Sequence, residues 1–213
     1  MSLPNRYHET RFFADPRREI LWRCLWKYYF SRYVHPSDTV LELGSGYSDF
    51  INNVQAKRRI AVDMWPDFLS HLREGVEGYV RDVSDLGFLA DRSINLVFAS
   101  NVVEHLTREK FEEVLNQLTQ KLVPGGKIIL LQPNYYYAFR EYFDDYTHLT
   151  VYSHVSLCDF LMARGFEILR CVPRFVPLTL KSRFKVWPAL IWLYLHCPLK
   201  PFGKQMLVVA RPI

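Results

Sequence analysis

Val40-Leu41-Glu42-Leu43-Gly44-Ser45-Gly46-Tyr47-Ser48 decides the fold. A short apolar run suited to a strand buried on both faces passes directly into two glycines spaced one apart. Without a Cβ, such glycines permit a tight turn and let backbone amides come close to a ligand, so a nucleotide-like cofactor fits at this strand end. A dinucleotide fingerprint would place a further glycine three residues after Gly46; that position is Asp49, and Glu42 precedes the glycines. Both features depart from the nicotinamide pattern.

Outward from this stretch, strand-like runs recur with helical patterns between them, at 39–43, 59–63, 78–81, 94–99, 127–132, 166–172 and 205–210. The alternation predicts an α/β fold with a mostly parallel sheet. Phe111, Val114, Leu115, Leu118 and Leu122 share one stripe of a helix over 108–122, with Thr107 as its N-cap and Pro124-Gly125-Gly126 as its stop. A second helix is expected over 153–164, with Leu157, Phe160 and Leu161 facing inward and Gly165 as its left-handed terminus. A leading helical segment fills 1–35, with its helix over 16–33.

These motifs together resemble the class I S-adenosylmethionine-dependent methyltransferases. The family's first motif is an apolar strand, an acid, then G-x-G-x-G, with Ser48 here in place of the last glycine. Asp63 ends the second strand nineteen residues beyond Gly44, where a carboxylate can accept hydrogen bonds from both ribose hydroxyls. Asp82 and Val83 match the adenine-binding position after the third strand. The segment Asn101-Val102-Val103-Glu104-His105-Leu106 matches the one beside the sulfonium, and Pro124-Gly125-Gly126 the turn before the fifth strand. Taken singly, Glu42 or Asp63 reads as a solvated strand-end acid and Gly-x-Gly as an ordinary turn; five motifs in order reverse that.

The resemblance implies a Rossmann-like doubly wound sheet of seven strands, order 3-2-1-4-5-7-6, the last strand antiparallel. It implies S-adenosylmethionine as cofactor and S-adenosylhomocysteine as product, with contacts from Glu42, Gly44, Ser45, Gly46, Asp63, Met64, Asp82, Val83 and Asn101. The alternatives are a binding module that holds the cofactor without turnover and, disfavoured by Asp49 and Pro124-Gly125-Gly126, a nicotinamide-dependent oxidoreductase. Family members that methylate planar nitrogens carry Asn/Asp-Pro-Pro-aromatic after the fourth strand, where this chain has Asn101-Val102-Val103-Glu104. An oxygen acceptor follows: a small molecule, a glycan or a lipid-linked sugar, as in relatives that accompany surface-polysaccharide glycosyltransferases.

The acceptor region, after the fifth strand, holds Tyr135, Tyr136, Tyr137 and the Asp144-Asp145-Tyr146-Thr147-His148 stretch. His148, oriented by Asp145, is the candidate general base. Asp144, Asp145 and His148 fix no ligand geometry, so no metal is assigned, and His105 is read as bracing its loop.

The 213 residues suit one domain, and 49% hydrophobic with 23% charged residues exclude a disordered chain. The four cysteines Cys24, Cys158, Cys171 and Cys197 form no C-x-x-C pair, which excludes a zinc ribbon or a disulfide scaffold. The polar start through Arg11 does not read as a signal peptide, and no apolar run would span a bilayer, so a cytoplasmic protein is expected. Net charge is +5, yet residues 36–164 carry 12 basic against 18 acidic side chains while 165–213 carry 8 against 1. The basic flanks suit an anionic partner, with no nucleic acid expected. Within 173–203, an apolar basic insertion, Lys181, Arg183 and Lys185 precede a helix starting at Pro188 that is apolar nearly all round. Core packing, a lid on the acceptor pocket, a homodimer face and a peripheral contact of 175–200 with the inner membrane face are its four readings.

Overall fold

The computed structural model describes residues 15–177 and 187–213. The polar start of the chain and Lys181, Arg183 and Lys185 therefore lie outside the described residues. Seven strands form one sheet: β1 Thr39–Leu43, β2 Arg58–Asp63, β3 Val76–Val80, β4 Ile94–Ser100, β5 Leu122–Pro133, β6 Phe166–Val176 and β7 Gln205–Pro212. Their order is β3-β2-β1-β4-β5-β7-β6. The first five pair in parallel, and β7 inserts antiparallel between β5 and β6. This is the expected topology.

Strand alternation divides the core into two layers, because successive side chains leave a strand on opposite faces. Leu41, Leu43, Val97, Ala99, Ile128 and Leu130 face α2 (Arg108–Lys121) and α4 (His154–Met162), whose Phe111, Val114, Leu115, Leu118, Leu157 and Leu161 are buried. Val40, Leu96, Phe98, Ile129, Leu131 and Val209 face the other way, onto Trp22, Leu25 and Trp26 of α1 (Pro16–Tyr28) and onto Phe30, Phe50 and Phe68. Here the connections after β1 and β2 are only 3-10 turns, Ile51–Asn53 and Pro66–His71, so α1 and a stack of aromatic rings cover the sheet instead. Phe50 stacks on Phe98 with ring centres 3.7 Å apart, and Trp22 meets Phe98 edge-on.

Capping follows the residue types. Thr107 accepts from the Lys110 amide, and Ser153 and Ser156 form a reciprocal capping box. Gly165 ends the following turn at φ +76°.

Several boundaries depart from expectation. The leading helix stops at Tyr28 and tightens into a 3-10 turn over Phe30–Tyr33, which swings both Tyr29 and Phe30 into the core. β3 runs over Val76–Val80 rather than 78–81, since the left-handed turn at Gly75 starts it earlier and its ladder with β2 closes at Asp63 and Val80. Pro124-Gly125-Gly126 lies inside β5 as an irregularity: Leu122 already pairs with Ile94, and the register shifts before Lys127 meets Leu96. β6 extends through Pro173 to Val176, which an edge strand tolerates because proline's missing donor can face outward. The helix over 153–164 is shorter, His154–Met162, with Ser153 outside it as the cap.

The apolar helix α5 (Pro188–His196) packs only in part, with Leu195 against the α1 layer of the core. It lies against α1, but none of its residues is buried, and Trp187, Leu190, Trp192 and Leu193 are exposed. Among the described residues no helix is long and apolar enough to cross a membrane.

Candidate active site

The carboxyl ends of β1, β2 and β4 converge on the turn that follows β1. Gly44 and Gly46 take φ +64° and +51°, and Ser48, in the place of a third glycine, is also left-handed at φ +58°. The amides of Gly44 and Ser45 donate to the Val62 carbonyl at 2.8 and 3.2 Å, which binds the turn to β2. A Cβ on Gly44 would stand 2.4 Å from Val102 Cγ2, so the segment after β4 closes directly over this glycine. Below the turn, buried Glu42 accepts through Oε2 from the Ser45 hydroxyl at 2.8 Å and the Ile51 amide at 3.1 Å. Burial raises its pKa to about 8, against the opposing pull of these hydrogen bonds. Glu42 thus shapes the cofactor loop from beneath.

Asp63 closes the other side. Its Oδ2 accepts from the Gly46 amide at 2.7 Å and its Oδ1 from the Trp65 amide at 2.8 Å, so the carboxylate is held at the end of β2 against the glycine turn. Met64 beside it is exposed, and Tyr47 of the turn packs edge-on against Trp65 at 5.3 Å. Beyond β3, Asp82 accepts through Oδ1 from the amide and hydroxyl of Ser84 and pairs through Oδ2 with Lys110 of α2. Burial works to raise the Asp82 pKa, but the bonds from Lys110 and Ser84 outweigh it and keep the carboxyl below its usual range. Val83 is buried in the core layer under α2. After β4, Asn101 stands at φ +54°, its amide bonded to the Leu131 carbonyl and its Oδ1 to Gln205 Nε2 at 2.8 Å. Glu42, Gly44, Ser45, Gly46, Asp63 and Met64 lie together at the carboxyl ends of β1 and β2. Asp82 comes with an unforeseen partner, Lys110.

The region expected to face the acceptor is built from the 3-10 turn Val103–His105 and the segment after β5. The Glu104 carbonyl accepts from the amides of Leu149 and Thr150 at 2.8 and 3.1 Å, which pins the two together. His148 packs against His105, ring centres 4.9 Å apart, and against the buried Tyr142 at 4.7 Å. Asp145 Oδ1 accepts from the Thr147 amide and, at 2.6 Å, from its hydroxyl. His105 Nδ1 lies 3.2 Å from the Thr147 carbonyl and 3.0 Å from its hydroxyl oxygen. Burial, reinforced by His148, pulls the His105 pKa down to about 4. Glu104, overlooked at the sequence level, is fully buried, and burial raises its pKa to about 8. Its signal was an acid and a histidine side by side just past a cofactor strand. Tyr136, Phe139, Phe143, Tyr146 and Leu149, all from the segment after β5, are exposed.

Residues 41–130 match the family model described as a methyltransferase domain. Among solved structures, a SAM-dependent methyltransferase from Archaeoglobus fulgidus superposes with a TM-score of 0.69 at 20% identity, covering 96% of each chain. The complex between the Haloferax volcanii Trm112 methyltransferase activator and a methyltransferase matches at 0.66 and 16% identity, over 93% of this chain and 95% of that one. A geranyl diphosphate methyltransferase in complex with SAM matches at 0.62 and 14% identity, over 92% and 84%. Curated protein sequences give no match. Residues 41–130 thus resemble a methyltransferase domain, and the strand order is that of the fold shared with these S-adenosylmethionine-dependent methyltransferase structures.

Two expectations follow for the cofactor half. Asp63→Ala should weaken S-adenosylmethionine binding by ~1–3 kcal/mol in calorimetry, through loss of charge-assisted hydrogen bonds and of the brace on Gly46; unchanged affinity would remove Asp63 from the ribose site. The raised pKa of Glu42 means that the folded chain holds this proton more tightly than the unfolded one. Its contribution is complete below the ordinary carboxyl pKa of about 4.5 and is lost as pH rises towards 8. Urea unfolding across that window should show stability falling with pH, and Glu42→Gln should flatten part of the fall. Equal slopes for both proteins would contradict this.

Proposed function

We propose that the chain is an S-adenosylmethionine-dependent methyltransferase that transfers the methyl group to a hydroxyl oxygen of an acceptor that carries an apolar or lipid-linked portion, a glycan or a sugar on a lipid diphosphate being the preferred class. The observation that carries this reading is His148, held against His105 in a segment pinned to the turn beside the glycine loop. An imidazole placed there can take the hydroxyl proton as the oxygen lone pair attacks the methyl carbon. The carbon–sulfur bond breaks with its electron pair on sulfur, leaving neutral S-adenosylhomocysteine. The sulfonium methyl is already electrophilic, so alignment of donor and acceptor is the chain's main contribution. Exposed Tyr136, Phe139, Phe143 and Tyr146, in the same segment as His148, favour an acceptor with apolar surface.

The exposed side chains of α5, followed by exposed Leu199 and Phe202, favour peripheral contact with an anionic bilayer on the same grounds. A second copy of the chain is the competing occupant. The test is transfer of labelled methyl to sugars, lipid-linked sugars and phenols, with the product bond identified by mass spectrometry. Methyl ethers support the reading, and products methylated only on nitrogen or carbon refute it. Sedimentation with anionic vesicles at low salt, reversed above ~0.15 M where the Debye length is ~8 Å, would support the membrane contact.

A further inference from the structure

Glu104 is a buried carboxylate whose setting the cofactor half does not explain. It is 0% exposed, and neither carboxyl oxygen has a hydrogen-bond partner among the described residues. Its neighbours are the imidazoles of His105 and His148, each offering a ligand atom such that the three atoms all lie within 4.8 Å of one another. We propose that Glu104, His105 and His148 bind one divalent transition-metal cation of the zinc, cobalt or manganese kind.

Two nitrogens and a carboxylate oxygen suit such ions, which hold imidazole and carboxylate ligands at ~2.0–2.2 Å. Donors on a common ion stand roughly 3–3.5 Å apart at those bond lengths, so the three groups need only a small inward rotation. The surroundings of His105 also fit. The Thr147 hydroxyl donates its single proton to Asp145 Oδ1, leaving both Thr147 oxygens near the ring as acceptors. His105 Nδ1 must then be the donor, and Nε2 carries the lone pair. A metal-binding imidazole characteristically donates its other N–H to a carbonyl or carboxylate in this way, and Asp145, read from sequence as the orienter of a base, positions His105 through Thr147. The third donor, His148, arrives from the segment after β5 because the Glu104 carbonyl is tied to Leu149 and Thr150. A site with three protein ligands leaves a position open.

The chemical use of the cation rests on the hydroxyl-transfer reading above. An acceptor oxygen entering the open position would have its hydroxyl acidified, its proton leaving to water, with His148 then a ligand rather than the proton acceptor. Binding itself does not depend on that reading.

The test is titration of the full chain, stripped with chelator and dialysed, with Co2+, followed by visible absorption and by the melting temperature. One Co2+ per chain with a d–d band and a raised melting temperature is expected. Glu104→Gln, which keeps the side chain's shape, and His148→Ala should each weaken uptake by at least ~10-fold while S-adenosylhomocysteine affinity, a check on folding, is retained. No uptake by the wild-type chain, or equal uptake by Glu104→Gln, overturns the site. Methyl-ether formation that persists after chelation with no Co2+ bound defeats the cation and leaves the hydroxyl reading standing. Co2+ bound through Glu104 without any methyl ether does the reverse.

Discussion

His148→Ala is expected to lower the rate of methyl transfer by about 10²–10⁴-fold, while S-adenosylmethionine affinity measured by calorimetry stays unchanged. The split arises because His148 belongs to the acceptor half: it touches His105 and Tyr142, whereas the cofactor loop is supported by Glu42, Asp63 and Val102. The loss would fall on kcat, since the imidazole acts as the acceptor hydroxyl is deprotonated, as proton acceptor or as ligand to a cation that acidifies it. Single-turnover kinetics with saturating cofactor would measure it. A variant that turns over at the wild-type rate would reduce His148 to a packing residue.

Gly44→Ala should be the most damaging small substitution in the cofactor loop, destabilising the fold by ~2–5 kcal/mol. Two costs combine. An alanine at φ +64° must adopt the left-handed conformation, at roughly 1–2 kcal/mol. Its Cβ would also stand 2.4 Å from Val102 Cγ2, and overpacking of that kind costs ~1–3 kcal/mol. Adding Val102→Ala should recover the second part and not the first, so the double mutant separates them in urea unfolding. A single mutant as stable as the wild type would mean that the turn can relax away from β4.

The strand order and the cofactor loop could be read from the sequence because both depend on local chemistry: apolar runs for strands, and positive φ at Gly44 and Gly46 for the turn. Ser48 shows the limit of that logic, since it is left-handed without being glycine. What escaped was set by tertiary contacts. Lys110 stands 28 residues from Asp82 and meets it only because α2 packs beside the end of β3. Likewise the Glu104-His105 pair is visible in the motif after β4, but the burial of Glu104 beside a second histidine more than forty residues away is set by the fold. The apolar composition of the insertion containing α5 left core packing as one of four readings; whether such a helix is buried depends on what is available to cover it, which composition does not encode.

The contact between Tyr47 and Trp65 gives the enzyme an optical reporter of its own. Tyr47 lies in the glycine turn, and Trp65 follows Asp63 and Met64 at the end of β2, so the indole borders the place where the cofactor's ribose is expected. The other tryptophans are placed elsewhere: Trp22 and Trp26 lie on the buried face of α1 against Phe50, and Trp187 and Trp192 belong to the α5 region. Occupancy of the loop should therefore change the emission of one fluorophore against a constant background, and Trp65→Phe should silence that change. Cofactor binding could then be followed on the unlabelled chain in real time, before any acceptor is known.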